Sequence, residues 1–276
     1  PHPFKPREEM RVSLAPADVD VIVLWTRQPR PLLPYLDELD QRGYRYYFQY
    51  TLLDYPRQIE TAAPPLLARL HTFQELVQRI GSQRIIWRYD PILFTEITPP
   101  TYHQETYARL AEEVRGCAHH SVISILAVYE KIQRRMAEMA RQGAKLLHPF
   151  DSQETWFGDL MRSLVASAQD NGMELSSCAS EILLHDYGIQ PGKCVDDDYI
   201  LETFGLDVAH TKDPGQRKLC GCVLSKDIGV YDSCLFGCQY CYATSSFERA
   251  RARHARHDPL SPAIIHFDSQ PGHSAS

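Results

Sequence analysis

Three cysteines lie close together near the end of the 276-residue chain: Cys234, Cys238 and Cys241, in the string CLFGCQYC. Their spacing is C-x3-C-x2-C, and Tyr240 directly precedes the last of them. Three thiolates on one short loop can ligate three irons of a cubane cluster and leave the fourth iron open to another ligand. The spacing therefore predicts an iron–sulfur site suited to chemistry as well as to electron storage.

Four further cysteines are candidates for a second, auxiliary metal site that would hold another cluster or a zinc ion: Cys178, Cys194, Cys220 and Cys222. The alternative is that some of them are small buried hydrophobic residues, as free cysteines often are. Five of the eight cysteines crowd into residues 220–241, which favours metal binding in a reducing compartment over disulfides. We therefore expect a cytoplasmic location.

A repeated strand-then-helix pattern must position these cysteines. Strands are predicted at 19–26, 44–51, 84–90, 121–127 and 173–178, and helices at about 31–42, 65–80, 102–115, 129–142 and 153–169. A sixth strand at about Asp227–Tyr231 is predicted to deliver the cysteine loop, with a helix from about Ser245 to His257 after it. The strands are apolar rather than strictly alternating, which is typical of parallel strands covered on both faces. The pattern predicts an α/β fold, a full or partial (β/α) barrel, with an open doubly wound sheet as the alternative.

Polar residues at the ends of these strands are candidates for binding a cofactor. Arg88 and Asp90 are two positions apart on one strand, so they point to the same face. In the mouth of a barrel they would bind a carboxylate or a ribose; the alternative is that they pair with each other. The acidic run Asp196–Asp198 is explained by capping of a short helix rather than by Mg²⁺ binding.

The cysteine motif resembles that of the radical S-adenosylmethionine superfamily, since Cys234, Cys238, Tyr240 and Cys241 match it. The resemblance implies a [4Fe–4S] cluster whose open iron binds S-adenosyl-L-methionine, and reductive cleavage of that cofactor to a 5′-deoxyadenosyl radical. It also implies that Tyr240 packs near the adenine and that an electron donor such as a flavodoxin or ferredoxin is needed. The substrate is not indicated.

The position of the motif departs from that superfamily, where it follows the first strand of the barrel. Here it comes after five strand–helix units, so we expect a circularly permuted barrel with the cluster-bearing strand, loop and helix at the C-terminal end. Residues 1–260 are expected to form one barrel-like domain with the cluster loop at 234–241, and residues 261–276 a flexible tail.

The chain as a whole also resembles a bacterial family catalogued only as having unknown function. The matching strings include RVSLAPADVDVIVLWTRQPRPLLPYLDEL, IIWRYDPI and CGCVLSKDIGVYDSCLFGCQYCYA, and the resemblance covers roughly residues 11–244. It implies a further strand–helix unit upstream of residue 1.

Two other functions remain open from the sequence. A zinc-stabilised binding module would use Cys220 and Cys222 together with Cys238 and Cys241. Such a module would contact nucleic acid through the arginines of the last helix, which are Arg249, Arg251, Arg253 and Arg256. The other function is an electron-transfer iron–sulfur protein. The net charge of −6 gives no general attraction to nucleic acid or anionic membranes, and the apolar runs are too short to span a bilayer.

Overall fold

Six parallel strands form one sheet in the computed structural model, which describes residues 11–147, 155–180 and 182–264. The strands are β1 (Ile22–Thr26), β2 (Tyr46–Thr51), β3 (Ile85–Ile92), β4 (His120–Ile125), β5 (Glu174–Cys178) and β6 (Gln190–Gly192), and they lie in the order of the chain. Within the described residues β1 and β6 are the two edges, so the sheet is not closed. The order does not reverse, as it would at the switch point of a doubly wound sheet.

Helices connect the successive strands. They are α1 (Leu36–Gln41), α2 (Leu66–Ile80), α3 (Pro100–Glu113), α4 (Glu130–Arg141) and α5 (Thr155–Asp170), followed by α6 (Asp197–Phe204) and α7 (Phe247–Ala255). In α4 the buried residues Ile132, Met136 and Met139 recur at helical spacing, so one stripe of the helix packs inward. The first five predicted strands and the helices between them are confirmed, with boundaries that differ by a few residues.

The sheet has two different faces, because alternate residues of a strand point to opposite sides. Phe48, Tyr50 and Trp87 lie on the face that packs against helices α2, α3 and α5, and we call this the helical face. Tyr47 and Ile86 lie on the other face, which we call the second face. The second face is covered by α6 and by the segments that carry Cys194, Cys220 and Cys222.

The predicted sixth strand at Asp227–Tyr231 is wrong, since this segment is not a strand. Its residues are mostly exposed, and the carboxylate of Asp227 accepts a hydrogen bond from the Gly229 amide at 2.7 Å. A side chain that bonds the backbone two residues onward favours a turn over an extended strand. The sixth strand is instead Gln190–Gly192, so the cysteine loop does not follow a barrel-closing strand.

The predicted helix after the cysteine loop is confirmed as α7, over Phe247–Ala255. The predicted flexible tail lies outside the described residues from position 265 onward. Among the described helices, none combines the length and apolar character needed to cross a membrane.

Candidate metal centre

Asp232 closes the loop that carries Cys234, Cys238 and Cys241, which we call the triplet. The buried Asp232 carboxylate accepts hydrogen bonds from the amides of Ser245 at 2.6 Å and Ser246 at 3.1 Å. Its own amide donates to the Ala243 carbonyl at 2.9 Å, and Arg249 pairs with the carboxylate at 3.1 Å. The ends of the loop are therefore held together by the hydrogen bonds of Asp232 rather than by a strand. Arg249 takes part in this arrangement through its ion pair with Asp232.

The triplet loop docks on residues 59–62, which follow β2. Glu60 and Cys238 form an isolated antiparallel bridge, and the Ala62 amide donates to the Phe236 carbonyl at 3.0 Å. The backbone of the loop is thus paired with a fixed segment at the carboxyl end of the sheet. This is the end at which α/β proteins place their chemistry.

Gly237 allows this close approach. Its φ angle is +67°, a conformation that residues with a Cβ rarely adopt. A Cβ built on Gly237 would also collide with the hydroxyl of Thr61. The Thr61 hydroxyl donates to the Gly237 carbonyl at 3.1 Å. Both the conformation and the lack of space require glycine between the first two cysteines of the triplet.

The three thiols of the triplet lie on one loop and differ in exposure. Cys234 is exposed, Cys241 is half-buried and Cys238 is buried. Burial raises the pKa of the Cys238 thiol to about 12, and charge on Cys241 and Cys234 adds to the shift. Burial likewise raises the pKa of Cys234, with a contribution from Cys241. The thiols therefore interact electrostatically, and a cation between them would favour their ionised forms.

A buried charged network lies beneath the triplet. The Arg27 guanidinium donates to Cys238 Sγ at 2.9 Å and to the Tyr240 hydroxyl at 2.6 Å. Arg27 also pairs with Glu60 at 2.5 Å, and the Tyr240 hydroxyl donates to the same carboxylate oxygen at 2.5 Å. Tyr240, predicted from the resemblance to pack near an adenine, therefore has its hydroxyl bound within this network.

Three polar atoms around the triplet are buried without a hydrogen-bond partner among the described residues: Arg27 Nε, Glu60 Oε2 and Arg135 Nη1. Arg135 lies on α4 and donates through its other terminal nitrogen to the Cys241 carbonyl. Leaving such atoms unpaired in the interior is costly, and native proteins do so rarely. Their concentration beside one cysteine loop indicates a place where a polar ligand would satisfy them.

Arg27, Glu60 and Arg135 are the residues that the sequence interpretation missed. Arg27 comes one position after Thr26, the last residue of β1. Its position at the end of a strand is the sequence signal that could have indicated it. Glu60 and Arg135 carry no such signal, because their roles depend on how a loop and a helix pack against a segment more than a hundred residues away.

The four other candidate cysteines also come together, on the second face of the sheet, and we call Cys178, Cys194, Cys220 and Cys222 the quartet. Arg88 and Asp90 belong to this region and not to the triplet. They pair with each other at 2.5 Å, as the alternative interpretation expects, and Arg88 also donates to Cys194 Sγ at 3.0 Å.

The zinc set proposed from the sequence is not assembled. Cys220 and Cys222 belong to the buried cluster on the second face, whereas Cys238 belongs to the other buried cluster. Tetrahedral zinc with bonds of about 2.3 Å places its sulfurs about 3.8 Å apart. Among the described residues, no three cysteine sulfurs lie within 4.8 Å of one another.

The acidic run Asp196–Asp198 caps α6, as predicted. Asp196 accepts hydrogen bonds from the amides of Asp198 and Tyr199, and Lys193 pairs with Asp197 at 2.6 Å. The carboxylates therefore have partners at the helix N-terminus and on a lysine, and their clustering needs no metal ion to explain it.

Fold and site together define an α/β protein with an open parallel sheet and two separate groups of cysteines. The chain belongs to the family described as Domain of unknown function (DUF1848), which matches residues 1–243. This confirms the resemblance to an uncharacterised family, and the matched range includes all eight cysteines. A comparison with curated proteins finds no match for the chain.

Proposed function

We propose that the chain is a radical S-adenosylmethionine enzyme whose triplet ligates a [4Fe–4S] cluster. The observation that carries the proposal is the combination of three neighbouring thiols with three buried, unpaired polar atoms around them. A cluster alone needs thiolates. A bound amino acid group would also need a cation for its carboxylate and an acceptor for its ammonium, and both are present.

The chain's own residues suggest how the cofactor would be held. Arg135 Nη1 would donate to the cofactor carboxylate, and Glu60 Oε2 would accept from its ammonium group. Arg27 would stabilise the Cys238 thiolate by its hydrogen bond to Sγ. When bound, a reduced cluster of this kind supplies the electron that cleaves S-adenosyl-L-methionine to methionine and a 5′-deoxyadenosyl radical.

The sheet supports a barrel-like scaffold for this chemistry. Its strands follow one another in chain order, and the helices between them pack on one face, as in a (β/α) barrel. The second face carries polar side chains among its apolar ones: Gln49, Arg88, Asp90 and Ser124. We infer that the sheet is the open part of a barrel in which the second face is the interior.

The reaction would also need a one-electron donor such as a flavodoxin or ferredoxin, and a substrate with a hydrogen atom to abstract. The exposed Cys234 marks the side of the triplet that is open to solvent. Substrate identity is left to experiment.

The test uses protein purified without oxygen and reconstituted with iron and sulfide. We expect a brown protein with a [4Fe–4S] spectrum by electron paramagnetic resonance after reduction. With dithionite and S-adenosyl-L-methionine it should release 5′-deoxyadenosine. Cys238→Ser should abolish that release, because the remaining two thiolates cannot hold the cluster with an open iron.

Cys117→Ser is the matched control, because Cys117 is half-buried and belongs to neither the triplet nor the quartet. It should release 5′-deoxyadenosine at the parent rate. A cluster without cofactor cleavage would instead identify an electron-transfer protein. A colourless protein with stoichiometric zinc would end the proposal.

A further inference from the structure

We propose that the quartet forms a second metal centre, held by four thiolates on the second face of the sheet. Cys178, Cys194, Cys220 and Cys222 are each 5–8% exposed. They come from three separate segments: Cys178 ends β5, Cys194 lies two residues after β6, and Cys220 and Cys222 lie on the loop at 220–222. The proposal shares no cysteine with the triplet, so it does not depend on the function proposed above.

The four cysteines belong to one cluster of buried residues. Cys178 Sγ lies 3.1 Å from Cys194 Sγ. Cys222 Sγ contacts the backbone of the same residue, since it accepts a hydrogen bond from the Cys194 amide at 3.1 Å. Cys220 lies two residues before Cys222 and belongs to the same buried cluster. Folding has therefore gathered four soft ligands from three segments of the chain into one buried group.

The surroundings of these sulfurs suit thiolates. Cys222 Sγ accepts hydrogen bonds from the amides of Cys194 at 3.1 Å and Val195 at 3.4 Å. Cys194 Sγ accepts from the guanidinium of Arg88 at 3.0 Å. Amide donors and cations stabilise sulfur that carries negative charge, as ligand sulfur does.

A further layer of contacts fixes Cys194. Arg88 is held by Asp90 and by the side-chain oxygen of Gln49 at 3.2 Å. The Gln49 amide nitrogen and the Tyr47 hydroxyl both donate to the Cys194 carbonyl, at 3.0 and 2.8 Å. Metal ligands are commonly oriented by such outer hydrogen bonds.

The ligand set predicts the kind of metal. Thiolates alone select soft metals, which means zinc or an iron–sulfur cluster. Four protein ligands leave no open position, so the centre would be structural. No three of the sulfurs lie within 4.8 Å of one another, so binding would rearrange them and would move Cys178 Sγ and Cys194 Sγ apart from their present 3.1 Å. The competing state is a Cys178–Cys194 disulfide, with sulfurs about 2.05 Å apart.

The test starts from a full chain that lacks the triplet, Cys234→Ser/Cys238→Ser/Cys241→Ser, purified without oxygen. We expect it to keep one metal centre per chain, measured as zinc or as iron with acid-labile sulfide. Zinc would identify a single ion, and iron with sulfide a cluster; both support the proposal. Adding Cys222→Ser should remove this metal, whereas adding Cys117→Ser should not.

Three results would overturn the proposal: a chain without the triplet that holds no metal, metal that survives Cys222→Ser, or a Cys178–Cys194 disulfide in metal-free protein by peptide mass spectrometry. If the Cys222→Ser chain does not fold, cobalt(II) is titrated into the metal-stripped chain that lacks only the triplet. The intense sulfur-to-cobalt absorption of a tetrahedral thiolate site supports the proposal, and its absence counts against it. Loss of 5′-deoxyadenosine release in the triplet variants reports only on the first site.

Discussion

The triplet and the quartet use the same residue type in opposite settings. The triplet lies on one loop, with thiols that range from exposed to buried. The quartet is gathered from three segments, and all four of its thiols are buried. The described residues include unpaired buried atoms beside the triplet, on Arg27, Glu60 and Arg135. The charged groups of the quartet, Arg88 and Asp90, are fully engaged with each other, with Gln49, Ser124 and Cys194.

This difference separates a site prepared for a ligand from a site that completes the fold. Buried polar atoms without partners cost free energy, so they are retained where binding will satisfy them. The hydrogen bonds around the quartet are instead already made. Ligands held in this way fix the backbone segments that carry them. On this basis we propose that the triplet is the site of chemistry and that the quartet secures the covering of the second face.

The largest effect on the triplet should come from Gly237→Ala. A residue with a Cβ at positive φ costs roughly 1–2 kcal/mol. The collision with the Thr61 hydroxyl adds roughly 1–3 kcal/mol by overpacking. We expect the loop to leave residues 59–62 and the variant to lose its triplet iron after reconstitution, while metal at the quartet is unchanged.

Gly116→Ala is the control for this prediction. Gly116 also has a positive φ, +72°, but an added Cβ there would have no atom within 4 Å. It carries the backbone strain without the collision, so it should keep its iron. Thr61→Ala in the Gly237→Ala chain should restore part of the iron by removing the hydroxyl. Equal iron content in both glycine variants would show that close docking of the loop is unnecessary.

Acid should weaken the triplet side of the molecule through His103. His103 is fully buried; it packs against Tyr55, which packs in turn against Tyr240. Burial lowers the pKa of His103 to about 4, below its ordinary value of about 6.5. The unfolded chain therefore binds a proton first, and stability falls as the pH drops from about 6.5 to about 4.

At pH 4 the free energy of unfolding is expected to be roughly 3 kcal/mol lower than at pH 7, since each pKa unit corresponds to about 1.36 kcal/mol. It is measured as the difference in the free energy of unfolding between pH 7 and pH 4. In His103→Gln this part of the pH dependence should disappear, because glutamine does not titrate. A variant with the same pH dependence as the parent would show that another group is responsible.

Most of the fold was predictable because it depends on local patterns. The apolar run that became β2 and the helical spacing of Ile132, Met136 and Met139 are visible in a short window. The failure at Asp227–Tyr231 has a physical cause, since an apolar segment forms a strand only where a neighbour completes its hydrogen bonds. There, Asp227 supplies a turn instead.

The candidate sites were predictable in composition but not in arrangement. The sequence indicates seven candidate ligand cysteines, three of them by the spacing of one motif. The division of the cysteines into two groups is not visible in the sequence. The contact between Cys222 and Cys194 joins residues on opposite sides of α6 in the chain, so it depends on how these segments pack. For the same reason the sequence does not show that Arg88, a candidate for cofactor binding or for pairing with Asp90, also contacts Cys194.

The smallest predicted effect is that of Glu60→Gln on iron retention at the triplet. It tests the difference between the triplet and the quartet most directly. Glu60 is 1% exposed and holds Arg27 in place, and Arg27 donates to Cys238 Sγ. Glu60→Gln keeps the size and one acceptor but removes the charge, so Arg27 loses its ion pair and the donor to Cys238 Sγ is held less firmly. Loss of an outer-shell group typically lowers metal affinity by about 10–100-fold, and we expect a loss of that size in iron retention against a chelator.

The exposed Glu105→Gln is the matched control and should leave iron retention unchanged. Metal at the quartet should also be unchanged in Glu60→Gln, because Glu60 pairs with Cys238, which belongs to a different buried cluster from Cys178, Cys194, Cys220 and Cys222. An equal loss from both sites would mean that the variant loosens the whole fold. A loss confined to the triplet would mean that the buried charge under Cys238 belongs to a binding site, since a purely structural ion pair has no reason to affect one metal and not the other.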